Sequence, residues 1–382
     1  MSNRGSLNGI KVLDLSRMLP GPYCSMILAD HGAEVVAIED HRFRQDGLSF
    51  NTINRNKQHL ALNLKTTEGK EIFFKLAESA DVIIEGFRPG VVKRLGVDYE
   101  TVSECNPGII YCAITGYGQT GSFKDRAGHD VNYLSTAGIL ELVGPETGPP
   151  TIPGVQFADI AGGSMNAVVG ILLALYHRKA TGMGQYIDIS MTDGLLGYLS
   201  LPHFFRLNAG KEPQRSQDLL SHRYACYNTY ETADGGFIAI GAVENRFWKE
   251  LCEMLEVPDY SELQYDEHFR MEIITTIRTI FKMKSTDEWD EFLGASDVCY
   301  SRVHSLKEVL HLPLFLEREM VVPVTNKDGT VSQALGIPVK MSKSPGSIRT
   351  PPDAFGESSE AILRGLGYTP EQIRYFLRDG IV

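Results

Sequence analysis

Short apolar runs alternate with longer amphipathic segments along residues 1–200 of the chain. The runs are nearly continuous and rich in β-branched residues, which is typical of strands buried on both faces. The segments between them have helical length and periodicity. The predicted strands are residues 10–15, 34–38, 81–85, 108–114 and 186–191, and the predicted helices are residues 22–31, 65–79 and 165–178. This alternation predicts an α/β fold in which helices cover both faces of a parallel sheet.

The pattern changes near residue 200. Residues 203–221 are polar and irregular, which favours a linker. Two strand-like segments, 224–232 and 237–243, then flank an Asp-Gly-Gly turn, a strong hairpin signal. Helical segments follow, and a tail begins after about residue 325. We predict a large α/β domain over residues 1–200, a linker over 201–224, a smaller α+β domain over 225–325 and a tail over 326–382.

Charge and cysteine spacing exclude several classes of protein. The 382 residues include 48 acidic and 37 basic ones, for a net charge of −11, and such a surface repels nucleic acids. The six cysteines form no Cys-x-x-Cys pair and the ten histidines are dispersed. We therefore predict reduced thiols, no metal site and a cytoplasmic location. No signal-like core precedes Gly9 and no uninterrupted apolar run suggests a membrane span, so no membrane association is expected.

A glycine pattern resembles a dinucleotide-binding fingerprint. Gly116-x-Gly118-x-x-Gly121 follows a predicted strand, but the residues after it do not open the helix that would bind a pyrophosphate. The first strand–helix–strand unit ends its second strand in Glu39-Asp40, as a ribose-binding unit does. Its turn at residues 17–22 has one glycine where three are required. A nicotinamide or flavin cofactor is therefore not expected.

Two loops combine an ionisable side chain with glycine. His129 follows Gly128, and Asp159 shortly precedes a glycine pair ahead of the long apolar helix. On local grounds a lone histidine is usually structural or solvated, and Asp159 is usually the N-cap of the helix that follows. Glycine also permits a ligand to approach the backbone closely, and helix N-termini bind anions. Neither loop decides the function alone.

Several segments, taken in order, resemble the family III CoA-transferase superfamily, and within it the α-methylacyl-CoA racemase branch. The segments are Asp14-Leu15-Ser16, Pro20-Gly21-Pro22-Tyr23-Cys24, 29–33, Arg55-Asn56-Lys57, Leu62-Asn63-Leu64-Lys65, 81–95, 116–121 and 181–185. The glycine turn at 116–121 belongs to this family pattern, which accounts for the dinucleotide-like match. The histidine loop at 127–133 (AGHDVNY) and the segment 232–247 resemble the racemase version.

The resemblance implies a Rossmann-like large domain completed by the tail, a smaller domain, and an interlocked homodimer. It also implies that His129 is a catalytic base, that Asp159 is the second acid/base group, and that Glu244 approaches the histidine from the other subunit. Moving a proton between the two faces of a carbon beside a thioester carbonyl requires two such groups. Backbone amides beside Asp159 are the expected donors to the enolate oxygen.

Two alternatives remain open. In a CoA transferase, the Asp159 carboxylate would attack the thioester and carry the CoA as an aspartyl thioester, with His129 a bystander. In a CoA-binding protein without catalysis, Asp159 would only cap its helix.

The resemblance implies no prosthetic group, with coenzyme A entering as part of the substrate. The residues that it implies for binding coenzyme A are Ala61, Leu62, Asn63, Leu64, Gly86, Phe87, Arg88, Arg94, Gly128, Asp130, Val131, Asn132 and Tyr133. Arg88 and Arg94 are cations suited to phosphate. Racemases often carry an arginine shortly after the second strand, where this chain has Asp40-His41, and Arg42 or Arg44 is the expected substitute.

Overall fold

A computed structural model describes residues 5–44 and 51–382, which divide into two compact units. The first unit comprises Met1–Ala137, Gly154–Tyr198 and Leu314–Val382, and the second comprises Gly138–Pro153 and Leu199–Pro313. The expectation about a signal core before residue 9 falls partly on residues 1–4, which lie outside the described residues.

These boundaries correct the predicted division. Residues 138–153 belong to the second unit because Arg215 donates to the carbonyl of Gly148 at 3.1 Å and Ser216 to that of Gly144 at 3.0 Å. The predicted linker at 201–224 is part of the same unit and begins within a helix. The tail returns to the first unit at Leu314, earlier than predicted.

A parallel sheet forms the centre of the first unit. Its strands are β1 (Lys11–Asp14), β2 (Glu34–Glu39), β3 (Lys57–Ala61), β4 (Val82–Glu85), β5 (Ile110–Thr115) and β6 (Gln185–Ser190), in the order β3-β2-β1-β4-β5-β6. This confirms the predicted α/β fold. The strand order is that of doubly wound folds, in which ligands bind where the order reverses, here between β1 and β4.

Strand β3 is absent from the sequence prediction. Lys57 and His59 interrupt its apolar pattern, yet both side chains are buried in the structure. Their burial depends on partners that are distant in sequence, because His59 Nδ1 lies 2.9 Å from Glu39 Oε1 and the Lys57 ammonium reaches the carbonyl of Pro22.

Helices cover both faces of this sheet. They are α1 (Pro20–Asp30), α2 (Thr67–Ala77), α3 (Val91–Leu95), α4 (Tyr99–Cys105), α5 (Asp130–Thr136), α6 (Asn166–Thr181) and α7 (Met191–Leu196). Thr66 caps α2 by accepting from the N–H of Gly69 at 3.0 Å, and Gly182, with φ of 76°, ends α6. A π-helical segment, Ala158–Met165, leads directly into α6.

The first α-helix of the second unit is α8 (Ser200–Ala209). Its other strands and α-helices are β7 (Tyr227–Glu231), β8 (Phe237–Gly241), α9 (Asn245–Met254), α10 (Arg270–Phe281), α11 (Thr286–Gly294), β9 (Tyr300–Arg302) and α12 (Leu306–Val309). Strands β7 and β8 pair as an antiparallel hairpin at the predicted turn, and β9 pairs antiparallel with β8. The core of this unit is aromatic, with Trp248, Trp289 and Tyr230 fully buried.

The tail contributes to the core of the first unit. It contains most of α13 (Pro313–Glu317), and then β10 (Val321–Thr325), β11 (Val331–Leu335), α14 (Ser359–Gly365) and α15 (Pro370–Arg378). Leu363, Phe376 and Val382 pack in one cluster with sheet residues such as Leu60 and Ile83. The tail therefore covers one face of the sheet.

Ala158–Thr181 forms one continuous helix of 24 residues, which is long and apolar enough to cross a membrane by length and composition alone. The expectation concerned an uninterrupted apolar run, and this helix is not one, since Asp159, Asn166 and His177 interrupt it. The core helix of a globular unit meets the same criterion, and here α6 packs against β5 and β6.

Candidate active site

A cleft of about 990 Å³ opens at the carboxyl ends of the strands, at the point where the strand order reverses. The turn after β1, the loop after β4 and the start of α5 form its walls. Its lining includes residues 14–18, 20–22, 86–89, 114–116 and 126–129, together with Asp159 and Met191. The volume is typical of sites for small organic ligands.

The cleft is basic although the chain is acidic. Its described lining carries eight arginine and lysine residues against four aspartate and glutamate residues, while the chain has a net charge of −11. The basic residues are Arg17, Arg42, Arg44, Lys65, Arg88, Arg94, Lys124 and Arg126. This distribution favours an anionic ligand that bears several charges.

The π-helical segment places Asp159 at the cleft. Ser164 anchors the segment by donating to the carbonyl of Pro20 at 2.6 Å, and its glycines allow close packing, since a Cβ on Gly162 would lie 2.5 Å from the carbonyl oxygen of Met191. Within the described residues, the carboxylate of Asp159 forms no hydrogen bond or ion pair. π-Helical turns often occur at functional sites.

Asp159 is not the N-cap of its helix, as local reasoning expected. The N-cap is Phe157, and the N–H of Asp159 donates to Asp130 Oδ1 at 3.0 Å. Burial raises the pKa of Asp159 to about 6, and the negative charge of Asp130 adds to the rise. A carboxyl group with this pKa can both accept and return a proton near neutral pH.

His129 lines the same cleft from the N-cap position of α5. Its N–H donates to Asn132 Oδ1 at 3.0 Å, and its side chain is exposed. The hydroxyl of Tyr133 donates to the carbonyl of Gly128 at 2.5 Å and so holds the loop. Gly116 and Gly128 leave space for the Tyr133 ring, because a Cβ at either position would overlap it.

Glu39 and Asp40, the acidic pair that could bind a ribose, already have partners. Glu39 Oε1 lies 2.9 Å from His59 Nδ1, and Glu39 Oε2 accepts from the N–H of Gly356 at 3.0 Å. Asp40 pairs with Arg42 at 2.6 Å. The two carboxylates of this chain that correspond to a ribose-binding position are therefore already bound to other residues of the chain.

Arg42 and Arg44, the expected substitutes for a racemase arginine, both line the cleft. Arg42 is bound to Asp40, whereas Arg44 lies 5.7 Å from the ring centroid of Phe355. Sequence reasoning missed Phe355, because the tail brings it to the cleft from more than 300 residues away along the chain. It also missed Arg17, whose guanidinium lies 3.7 Å from the ring centroid of Phe43.

A buried ionic group supports the turn after β1. Lys57 Nζ donates to the carbonyl of Pro22 at 2.7 Å and lies 3.9 Å from Asp14 Oδ2. Asp14 accepts hydrogen bonds from the hydroxyls of Ser16 and Ser25. Burial lowers the pKa of Lys57 to about 8, although the charge of Asp14 opposes the shift. These bonds fix the start of α1 relative to the sheet.

Residues 7–359 match the family model described as CoA-transferase family III. The chain belongs to CoA-transferase family III. It is 34% identical to the alpha-methylacyl-CoA racemase of Homo sapiens over 99% of this chain and 97% of that protein. It is 32% identical to the human succinyl-CoA:glutarate CoA-transferase, over 100% of this chain and 91% of that protein. A crystal structure of a CAIB/BAIF family protein from Brucella suis has a TM-score of 0.83 at 28% identity and covers 95% of this chain and 100% of that one.

Some of the residues that the family III resemblance implied for binding coenzyme A line the cleft, and the others do not. The members that line the cleft are Leu62, Leu64, Gly86, Phe87, Arg88, Arg94, Gly128 and Tyr133. Ala61, Asn63, Asp130, Val131 and Asn132 do not line it. The N–H groups of Ala61, Leu62 and Asn63 are bound within the chain, to Ser359, Glu39 and Ile381 respectively.

The family III resemblance also led to expectations about the N–H groups beside Asp159 and about Glu244. The N–H groups beside Asp159 do not serve an enolate oxygen as expected, because that of Asp159 is bound to Asp130 and that of Ile160 to the carbonyl of Gln156. Glu244 occupies the N-cap position of α9 in the second unit, and its side chain is exposed. Its approach to a histidine of another subunit stays a prediction.

Proposed function

We propose that this family III member is a racemase that inverts the α-carbon of 2-methyl-branched acyl-CoA thioesters. The observation that carries the proposal is that His129 and Asp159 line one cleft. The raised pKa of Asp159, about 6, brings its titration close to that of an ordinary histidine. Two groups that can each take or return a proton near neutral pH are what a two-base inversion requires.

In the proposed reaction, one of the two groups removes the α-proton and the other delivers a proton to the opposite face. The enolate oxygen formed between these steps needs hydrogen-bond donors.

The basic lining supports coenzyme A as the carrier group. Its pyrophosphate and 3′-phosphate are the kind of anion that clustered arginines bind. Arg88 lies in the loop after β4 and Arg94 in the helix that follows it, α3. Arg17 and Arg44 lie beside aromatic rings, an arrangement suited to a phosphate next to a planar base.

We further propose that two chains form an interlocked homodimer, in which Glu244 of one protomer accepts a hydrogen bond from His129 of its partner. An exposed apolar surface in the first unit supports this assembly. Val169, Leu173 and Tyr176 on α6 are each more than half exposed, and Tyr186 on the edge strand β6 is also exposed. Contiguous apolar surface of this kind usually marks an interface. Sedimentation velocity measures the assembly directly, and a monomer at micromolar concentration would refute it.

The second candidate is a CoA transferase, favoured by the 32% identity to a succinyl-CoA:glutarate CoA-transferase. The Asp159 carboxylate would attack the thioester carbonyl, and the CoA thiolate would leave to give a mixed anhydride. The thiolate would then attack the aspartyl carbonyl, releasing the carboxylic acid and leaving CoA as an aspartyl thioester. This route needs no proton transfer by His129.

One experiment separates the candidates. The protein is incubated in heavy water with a single enantiomer of a 2-methylacyl-CoA, and deuterium at the α-carbon is measured together with optical purity. Exchange with loss of optical purity supports the racemase. Transfer of CoA to a free carboxylic acid without exchange, with inactivation by hydroxylamine, refutes the racemase and supports the transferase. Binding without either reaction leaves a CoA-binding protein.

A further inference from the structure

Glu85 is a buried carboxyl group directly beneath the cleft. It is the last residue of β4, is 2% exposed, and does not itself line the cleft. The next residues of the chain, Gly86, Phe87 and Arg88, form one wall of the cleft. Among the described residues, no ion pair includes Glu85. A buried glutamate without a cation is costly and is rarely kept without a function.

The carboxyl of Glu85 holds the loop that follows it. Glu85 Oε2 accepts the N–H of Phe87 at 2.6 Å, which closes a tight turn at the end of the strand. Phe87 also packs against the apolar core, and Gly90, with φ of 79°, ends the loop at the N-terminus of α3. The hydrogen bond from the Phe87 N–H to the Glu85 carboxyl therefore orients the backbone of loop residues 86–90.

Other groups facing Glu85 are acidic or weakly acidic. Across Ala113 of β5, Asp188 of β6 occupies the same row of the sheet, since Glu85 pairs with Ala113 and Ala113 with Asp188. Tyr111 on β5 and Tyr186 on β6 also interact electrostatically with Glu85. Cys112, on the opposite face of β5, also interacts electrostatically with Glu85. Asp98 and Glu100, at the start of α4, are acidic groups that interact electrostatically with these tyrosines.

Asp188 holds the other glycine-rich loop of the cleft. Its carboxylate accepts the N–H of Gln119 at 3.0 Å, and Gly118, with φ of 78°, lies against it. The glycine pattern that resembled a dinucleotide fingerprint is thus a turn fastened to a carboxylate. Burial raises the pKa of Glu85 to about 8, and the charge of Asp188 adds to the rise.

We infer that Glu85 is a positioning residue for the substrate: its carboxyl fixes loop 86–90 from below, and gaining its negative charge tightens this loop and the binding of acyl-CoA. The inference rests on the proposed acyl-CoA site. A charged acceptor forms a hydrogen bond to N–H that is roughly twice as strong as one to a neutral acceptor. The loop therefore has a weaker anchor below the pKa of Glu85 and a stronger one above it.

The test measures the dissociation constant of acetyl-CoA by calorimetry from pH 7 to 9.5 with the full chain. This window avoids titration of the phosphates, and the thioester has no free thiol. We expect binding by the wild type to tighten about threefold to tenfold as the pH rises through about 8. In Glu85→Gln the amide oxygen still accepts from Phe87 without charge, so its dissociation constant should stay at the low-pH value of the wild type.

Two variants complete the test. Asp188→Asn removes the neighbouring charge and should move the midpoint to lower pH. Asp81→Asn is the matched control, because Asp81 lies just before the opposite end of β4, where it pairs with Arg178 at 2.7 Å; it should keep the wild-type profile. Thermal melting of each variant verifies folding.

A flat wild-type profile, or an inflection that persists in Glu85→Gln, would overturn the inference while leaving the acyl-CoA site intact. The second outcome would assign the titration to another group near pH 8, such as Lys57. Absence of acetyl-CoA binding by the folded wild type at every pH would overturn the proposed function, and the inference with it.

Discussion

The N–H of Asp159 donates to the carboxylate of Asp130 at 3.0 Å. This bond fastens the first turn of the π-helical segment to the start of α5, so the two loops that sequence reasoning singled out are joined by it. It also places a second negative charge beside Asp159, where it opposes ionisation of the Asp159 carboxyl.

Replacing Asp130 with Asn should lower the pKa of Asp159. The amide oxygen can still accept the N–H of Asp159, so the variant removes the charge and keeps the bond. Burial is the larger cause of the raised pKa, so the new value should fall below about 6 and stay above the ordinary 3.8. The acidic limb of the pH profile for α-proton exchange should move to lower pH by the same amount. An unchanged limb would show that Asp159 does not set it.

His129 and Asp159 should both be required for racemisation. For a racemase, His129→Ala should reduce racemisation by about 100-fold to 10,000-fold, because a positioned acid/base group contributes that much. Asp159→Asn should reduce racemisation at least as severely, and each variant should still exchange the α-proton of the enantiomer whose proton faces the remaining base. Acetyl-CoA binding by each variant serves as the control for folding. Retention of most racemisation in His129→Ala would contradict the two-base assignment.

Gly116→Ala should disturb the histidine loop without touching His129. The added Cβ would overlap the ring of Tyr133, whose hydroxyl donates to the carbonyl of Gly128 at 2.5 Å. Displacing that ring should reduce exchange sharply. Tyr133→Phe removes the hydroxyl bond alone and should lower the free energy of unfolding by about 0.5–1.5 kcal/mol, with a smaller loss of exchange. Equal activity of Gly116→Ala and wild type would contradict this role for the ring.

Lys57 should make stability depend on pH in the alkaline range. Its pKa is lowered by burial to about 8 from an ordinary 10.5, so the unfolded chain binds more protons than the folded chain between these values. The free energy of unfolding should therefore rise from pH 8 to 10.5, by up to about 3 kcal/mol. Chemical denaturation of Lys57→Met over the same range should lack that rise. A rise of equal size in the variant would assign it to other groups.

The elements that depend on local pattern could be predicted from the sequence. The apolar runs of β1, β2, β4 and β5 correspond to buried strands, and the Asp234-Gly235 sequence corresponds to the turn of the hairpin. Strand β3 could not be predicted in this way, because Lys57 and His59 are buried only by virtue of remote partners.

The same limit applies to the candidate site. His129 and Asp159 could be selected because glycine and a helix start lie beside them in sequence. Phe355 reaches the cleft through the tail, and the neighbouring Asp353 accepts from the N–H of His59 at 3.3 Å. Contacts between positions this far apart leave no local pattern in one sequence, so Phe355 was missed.

The buried tail has a consequence for the order in which the molecule acquires its structure. Ile381 and Val382 lie in the core of the first unit, and the carbonyl of Ile381 accepts the N–H of Asn63 at 2.8 Å. During synthesis this core cannot close until residue 382 has left the ribosome, whereas the second unit, which ends at Pro313, has by then emerged entirely. Although its sheet is made first, the first unit should be the last to become resistant to protease on a translating ribosome.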